Sequence, residues 1–334
     1  MSDQHSRRTA LKWAGLAAAA AALPVQRLAS AQTEPAAPAG ESAAPAAGPT
    51  TREVVEKRRF KIAGDDLFLL NRQKVKAFKV AKQAGLDGIQ VDMGSFPGGK
   101  EFKTTLRDEA VRQQFLDASR DSGVTIASMG WFALYARPFE SLPMADDMAH
   151  EWVQTMQQMG AKIGFMPLMV KVKDATEDQV KASRQRLIDI FKKVAPEAEK
   201  AGVVLGVEFS ENADGYKKFL DAVGSPAVQA FYNPGVGLDN GFDVYADLRA
   251  LGKDRVCALH LEQGSVTMMK GDEPEVFERR LGNGLINFPL LRYALDKMEW
   301  GGWMSIARSR LKGTTSPDTN MKANAAYLRT IFPE

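Results

Sequence analysis

Short apolar runs alternate with longer amphipathic segments along most of the chain. The apolar runs cover residues 60–63, 88–91, 124–129, 162–166, 203–207, 228–232, 256–260 and 303–306. Segments with helical spacing follow them at 75–84, 106–119, 144–159, 177–201, 215–223, 244–251, 289–298 and 320–331. Runs that are apolar throughout predict strands buried on both faces. Their alternation with helices predicts a parallel sheet joined by crossover helices.

The number and spacing of these units favour a closed barrel over an open sheet. Gly85, Gly123 and Gly202 each lie between a predicted helix and the next strand, where a left-handed turn ends a helix. An open dinucleotide-binding sheet would carry a glycine-rich loop after its first strand, and residues 65–67 read Asp-Asp-Leu instead. We therefore expect an α/β protein with one domain, a (β/α)8 barrel spanning residues 54–334.

The first 53 residues have a different composition from the rest of the chain. Arg7 and Arg8 precede an apolar, alanine-rich stretch at 13–25, and small residues follow at 29–31. This order predicts a twin-arginine signal peptide over residues 1–31, and the alternative is a basic tail on a cytoplasmic protein. Residues 32–53 are rich in Ala, Pro and Gly and predict a disordered linker.

The predicted signal also sets the location and the charge of the mature protein. Its apolar stretch is shorter than the roughly 20 residues of a spanning helix, so we expect export to the periplasm or another extracytoplasmic space, without a stable membrane anchor. The whole chain carries 44 basic and 41 acidic residues, and residues 1–31 hold four and one of these, which leaves 40 of each. A neutral mature chain argues against nucleic-acid binding. Its one cysteine, Cys257, lies in an apolar run and predicts a buried core thiol without a disulfide partner.

Four segments carry a resemblance to a known family. They are residues 85–91 (GLDGIQV), 201–208 (AGVVLGVE), 281–289 (LGNGLINFP) and 324–328 (NAAYL). Their order and spacing resemble those of the xylose-isomerase-like sugar phosphate isomerases and epimerases. The similarity runs from about Phe60 to Phe332, so the resemblance implies a TIM barrel with its chemistry at the C-terminal ends of the strands.

The resemblance also implies a divalent metal held by Glu, Asp, His and Glu after strands five to eight of the barrel. Glu208 and His260 stand at the first and third of these positions. Asn233 replaces the Asp and Ala307 replaces the final Glu, so the ligand set is incomplete. Mn, Mg, Co or Zn would suit such oxygen and imidazole ligands. We expect the metal to be weakly held or absent.

The same strand ends supply the other candidate residues. Glu208 is the expected acid/base group, and as a buried carboxylate it should pair with a metal, with Arg308 or with His260. Trp131, Asn233 and Arg308 are expected to bind substrate, although Trp131 could equally be part of the packing of its loop.

Two functions remain open at this point. One is an exported sugar isomerase or epimerase that acts on a small-molecule carbohydrate. The other is a catalytically inactive sugar-binding or scaffold protein with the same fold. A nuclease with this barrel would need more His and carboxylate ligands and a basic face, which this composition lacks. The oligomeric state stays open.

Overall fold

The computed structural model describes residues 55–333 apart from 71, 100, 169–174, 264, 271–272, 279 and 308–316. The predicted signal peptide, the predicted linker and Arg308 lie outside the described residues. In the part that is described, eight parallel strands close into a barrel, and a two-stranded antiparallel hairpin accompanies them.

The strands follow one another around the barrel in chain order. They are β1 (Phe60–Asp65), β2 (Gly88–Asp92), β3 (Thr125–Gly130), β4 (Ile163–Pro167), β5 (Val204–Glu208), β6 (Val228–Tyr232), β7 (Val256–Leu261) and β10 (Gly302–Ile306). β10 pairs with both β7 and β1, which closes the barrel. The hairpin strands β8 (Ser265–Lys270) and β9 (Glu273–Glu278) follow β7.

Helices separate the strands along the chain. They are α1 (Asp66–Leu70), α2 (Ala77–Gln83), α3 (Glu109–Ser122), α4 (Ala145–Gln158), α5 (Glu177–Ala201), α6 (Ala213–Val223), α7 (Pro234–Asp239), α8 (Val244–Leu251), α9 (Phe288–Lys297) and α10 (Pro317–Ile331). Their apolar side chains form one large buried cluster with those of the strands. The predicted closed (β/α)8 barrel is confirmed.

Helix ends follow the local signals of the sequence. Thr176 and Gln179 form a reciprocal capping box at the start of α5, and Gly202 ends this helix in the left-handed conformation. The predicted helix 106–119 was displaced, because residues Thr105–Arg107 form a separate 3-10 turn and Asp108 caps α3. The hairpin β8–β9 was not predicted.

The barrel interior holds a small aromatic cluster below a polar layer. Phe132, Phe165, Phe231 and Ala258 pack together inside the strands. Cys257, beside them on β7, is half-buried as a whole residue, while burial of its thiol raises the pKa of that thiol to about 12. Its Sγ donates to the Ala230 carbonyl. Among the helices of the described ranges, none is long and apolar enough to cross a bilayer.

Candidate functional site

Polar side chains from distant strands meet at the C-terminal end of the barrel. Asp65 ends β1, Glu208 ends β5, His260 lies near the end of β7, and Ser305 lies on β10. All four are buried. The register aligns Ser305 with His260 across β10 and β7, so their side chains share one level of the barrel.

His260 is held between two carboxylates. Its Nδ1 lies 2.9 Å from Glu208 Oε2, and its Nε2 lies 3.3 Å from Asp65 Oδ2. Ser305 Oγ donates to the other oxygen of Asp65 at 2.8 Å. Because both ring nitrogens face carboxylate oxygens, the arrangement favours the doubly protonated imidazolium.

The electrostatics agree with this geometry. Burial alone would lower the pKa of His260, but the negative charge of Glu208 and the hydrogen bond and charge of Asp65 outweigh it and raise this pKa to about 10. At neutral pH the ring is therefore a cation between two anions. Its charge balances much of the carboxylate charge in a place that water does not reach.

Tyr135 covers this buried pair. It lies on the 3-10 helix Phe132–Ala136, and its hydroxyl donates to Glu208 Oε1 at 2.9 Å and lies 3.3 Å from His260 Nδ1. Burial and the charge of Glu208 raise the pKa of the phenol well above its usual value. Tyr135 is half-buried whereas Glu208 and His260 are fully buried, so Tyr135 is the most solvent-exposed residue of the three.

The predicted pairing of Glu208 thus has His260 as its partner in the structure. Arg308, the other residue proposed for this role, lies outside the described residues. Asn233 lies nearby at the end of β6, where its Oδ1 accepts from the Val236 amide and caps α7. Its amide nitrogen donates to Glu262 Oε1 at 3.2 Å.

Trp131 is part of the packing of its loop, which was the alternative to a substrate-binding role. Its side chain is fully buried and packs against Phe102, with ring centroids 4.8 Å apart. Neither face of the indole is available in this structure to stack on a sugar. A role for Trp131 in substrate binding stays a prediction, and it would have to use the edge of the ring.

Three members of the network, Asp65, Tyr135 and Ser305, are not among the site residues that the sequence predicts. Asp65 lies two residues after the first apolar run, in the segment Asp-Asp-Leu that argues against a glycine-rich phosphate loop. A polar residue at a strand end, which identified Glu208 and His260, was the signal for it. The sequence does not predict the role of Tyr135, because its contact with Glu208 joins residues 73 positions apart.

A sequence profile decides the family. Residues 78–331 match the profile described as the xylose isomerase-like TIM barrel. The chain belongs to the xylose isomerase-like TIM barrel family. No curated protein matches the sequence.

Several solved structures have the same fold. A D-psicose 3-epimerase determined in the presence of D-fructose has a TM-score of 0.65 at 11% identity, over 82% of this chain and 100% of its own. A D-allulose 3-epimerase from Methylomonas sp. in complex with D-allulose has a TM-score of 0.62 at 16% identity, over 82% and 98%. A xylose isomerase domain protein from Alicyclobacillus acidocaldarius has 0.61 at 15%, over 82% and 98%. At such identities the likeness concerns the fold alone.

The residues present do not make a good metal site in this arrangement. Both nitrogens of His260 are engaged by carboxylates, Asn233 contributes no charge, and Ala307 carries only a methyl group. In the ranges that the structure describes, no group of three or more His, Cys, Asp or Glu side chains is arranged to hold an ion. An imidazolium has no free lone pair, so His260 must lose a proton before it can bind a metal.

Proposed function

We propose that this chain is an exported carbohydrate-acting protein of the sugar isomerase and epimerase kind, with a degenerate divalent-metal site. The buried contact between Glu208 and His260, at 2.9 Å, is the observation that supports this most. It lies at the barrel end where enzymes with this fold carry out their chemistry. Family membership supports a small-molecule carbohydrate as the ligand.

In this proposal Glu208 is the acid/base group and His260 is its positioning partner. Isomerases and epimerases move a proton to or from a carbon next to a carbonyl, and a carboxylate held in a fixed orientation can act as the base for this step. His260 and Tyr135 hold the two oxygens of Glu208 in place. Asn233, Trp131 and Arg308 are the proposed substrate-binding residues.

Any Mn, Mg, Co or Zn ion would be weakly held or absent. The support is chemical: the strand ends offer Glu208 and His260 as conventional ligands, and these two already satisfy one another. When bound, a divalent ion would polarise the sugar carbonyl.

The second candidate is a catalytically inactive sugar-binding or scaffold protein. One observation favours it: Asp65, His260, Glu208 and Ser305 satisfy each other in a closed network that is almost entirely buried. A group that already holds its preferred partners has less tendency to take a proton from a substrate.

Two measurements on the purified full chain test this proposal. The first tests the degenerate metal site, and the second distinguishes the enzyme from the inactive protein. Metal content should be well below one ion per chain, and Glu208→Gln should not change it. Stoichiometric metal that Glu208→Gln removes would contradict the degenerate site. NMR in D2O should show solvent deuterium entering a sugar C–H bond with the wild type and with Glu197→Gln, an exposed control, but not with Glu208→Gln. Sugar binding without any exchange would instead support the inactive protein.

A further inference from the structure

Glu208 is closed off from solvent in this structure. Its side chain is fully buried, and each of its oxygens has a partner. Oε2 lies 2.9 Å from Nδ1 of His260, and Oε1 accepts from the hydroxyl of Tyr135 at 2.9 Å. The proposed acid/base group can therefore meet a substrate only if a neighbouring side chain moves away.

His260 is held too firmly to be the side chain that moves. It lies on β7, which pairs with β6 on one side and with β10 on the other. Its ring lies between the carboxylates of Glu208 and Asp65, and the ring of Phe165 is 4.8 Å from it between centroids. Displacing the imidazolium would separate charges that are buried, which is very unfavourable.

Tyr135 differs from His260, Asp65 and Ser305 because no strand holds it. It lies on the 3-10 helix Phe132–Ala136, which follows β3 at the C-terminal mouth of the barrel. The residue is half-buried, whereas the strand residues of the network are buried. Its phenol is neutral, so breaking its hydrogen bond to Glu208 separates no pair of charges.

The anchoring of this 3-10 helix assigns the movement to the side chain of Tyr135. Phe132 and Leu134 are buried, and the ring of Phe132 packs on Phe165 with centroids 5.5 Å apart. The backbone is thus held in place, and rotation of the Tyr135 side chain suffices to uncover Glu208 Oε1. Because the phenol itself occupies the space beside this oxygen, the same rotation makes room for a ligand.

The phenol and a sugar hydroxyl are chemically alike at this position. Both are neutral O–H groups that donate one hydrogen bond and accept others. The Tyr135 oxygen also lies 3.3 Å from His260 Nδ1, so an oxygen in its place meets the carboxylate and the imidazolium together. A negatively charged ligand group would be repelled by Glu208 at this distance.

We propose that Tyr135 is a placeholder for a substrate hydroxyl, which binds to Glu208 Oε1 by displacing the phenol. This inference rests on the proposed function and extends it to the group that the carbohydrate presents to Glu208 and to the control of access. Tyr135 holds Glu208 in the closed site, and the sugar hydroxyl takes over the same bond in the open site. The contact is autoinhibitory, since the apparent affinity falls with the fraction of molecules that are open.

Calorimetric titration of the full chain with D-fructose, D-allulose, D-glucose and D-xylose tests this contact. Tyr135→Phe keeps the ring and removes the hydroxyl that competes with the sugar. We expect this variant to bind the best of these probes about threefold to tenfold more tightly than the wild type does, because the sugar no longer has to replace a hydrogen bond. A Tyr135 hydroxyl that binds the sugar directly would have the opposite effect.

Tyr216→Phe is the matched control, since it removes a hydroxyl from another tyrosine near Glu208. Tyr216 lies on α6 and is buried. Its hydroxyl accepts from the amide of Phe209, the residue after Glu208, at 2.8 Å and donates to the Phe209 carbonyl at 3.2 Å. This variant should lower stability and keep the affinity for the sugar within about twofold, because its hydroxyl bonds to the backbone.

Monodeoxy forms of the best probe identify the hydroxyl that replaces the phenol. The form that lacks this hydroxyl has nothing to donate to Glu208, so Tyr135→Phe should improve its binding by less than about twofold. Equal improvement for every deoxy form would contradict the replacement.

The remaining outcomes separate the placeholder from the function on which it rests. Binding by Tyr135→Phe but not by the wild type would support the placeholder. An affinity of Tyr135→Phe equal to or below that of the wild type would overturn the placeholder and leave the carbohydrate function in place. Binding of no probe by either protein would overturn both.

Discussion

His260 illustrates how burial changes the meaning of one contact. The chain holds a second Glu–His pair at the same distance: Glu197 Oε2 lies 2.9 Å from His150 Nδ1. Glu197 and His150 are 48% and 35% exposed, whereas Glu208 and His260 are at most 2% exposed. Water screens the exposed Glu197–His150 pair, so this pair contributes little to stability. In the buried Glu208–His260 pair, a charge that lost its partner would be very unfavourable.

Removing the two glutamates should therefore have very different effects. We expect Glu208→Ala to lower the free energy of unfolding by about 3–5 kcal/mol, because it leaves a buried imidazolium with one partner fewer. Glu197→Ala should lower it by about 1 kcal/mol or less. Urea denaturation of both variants provides the measurement. Similar losses in the two variants would contradict a charged, solvent-excluded site.

Asp92 should make the stability depend on pH in an identifiable direction. Burial raises its pKa to about 7 in the folded protein, against 3.8 in an ordinary setting, so the folded state holds the proton more tightly. The free energy of unfolding should then fall as the pH rises from about 4 to about 7, by on the order of a few kcal/mol, and remain low above that.

Asp92→Asn should remove this part of the pH dependence. The variant should be more stable than the wild type at pH 8 and similar to it at pH 4, measured by urea denaturation at both values. Lower stability of Asp92→Asn at pH 8 would show that the carboxylate is a structural requirement.

The site could be predicted from the sequence only where one local rule applied. Glu208 and His260 each end an apolar run, and the strand-end rule identified both. The closure of the network by Asp65 and Tyr135 depends on which strands become neighbours and on how a loop folds back. Those contacts join residues 195 and 73 positions apart, which no local pattern contains.

At the scale of elements, α4 and β4 approach one another where a side chain is missing. A Cβ at Gly164 on β4 would lie 2.2 Å from Trp152 Cζ2 on α4. The Trp152 ring can approach the strand this closely only because residue 164 is glycine, and its Nε1 donates to the Met129 carbonyl at 3.1 Å. This contact fixes the distance between helix and sheet.

Gly164→Ala should lower the free energy of unfolding by about 1–3 kcal/mol or more, because the added methyl group overpacks this contact. Trp152→Phe has a smaller ring, so the double variant Gly164→Ala/Trp152→Phe should lose less than the sum of the two single losses. Thermal and urea denaturation of all four proteins measure this coupling. Strictly additive losses would mean that the methyl group is accommodated elsewhere.

The sequence predicted the elements of the barrel better than their connections. Strands apolar on both faces and helices with glycine ends are local patterns, and α5 has the predicted bounds 177–201. The hairpin β8–β9 was missed because its segment contains charged residues and Pro274 between two short runs. Pairing of two such strands is decided by their partner and not by hydrophobic periodicity.

For the molecule as a whole, the shared fold does not determine the function. The barrel matches epimerase structures over 82% of the chain at 11–16% identity, so the scaffold is shared while most side chains differ. Function in such barrels resides in the strand ends and loops. Here Ala307 follows the eighth strand of the barrel, and Asp65 at the end of the first strand contacts His260. The chemistry of this chain must therefore be measured directly.

The predicted export signal concerns the whole chain and can be tested by a substitution that preserves charge. Arg7→Lys/Arg8→Lys keeps two positive charges but removes the planar guanidinium groups, which a lysine does not replace. We expect this variant to stay in the cytoplasm with its signal uncut, while Arg27→Lys, the same substitution outside the pair, is exported and cleaved like the wild type.

Cell fractionation and immunoblotting measure the location and the cleavage of both variants. Export of the pair variant at the wild-type level would contradict the twin-arginine route, and cytoplasmic retention of the wild type would contradict export itself. A barrel that closes without any disulfide can fold before transport, as this route requires.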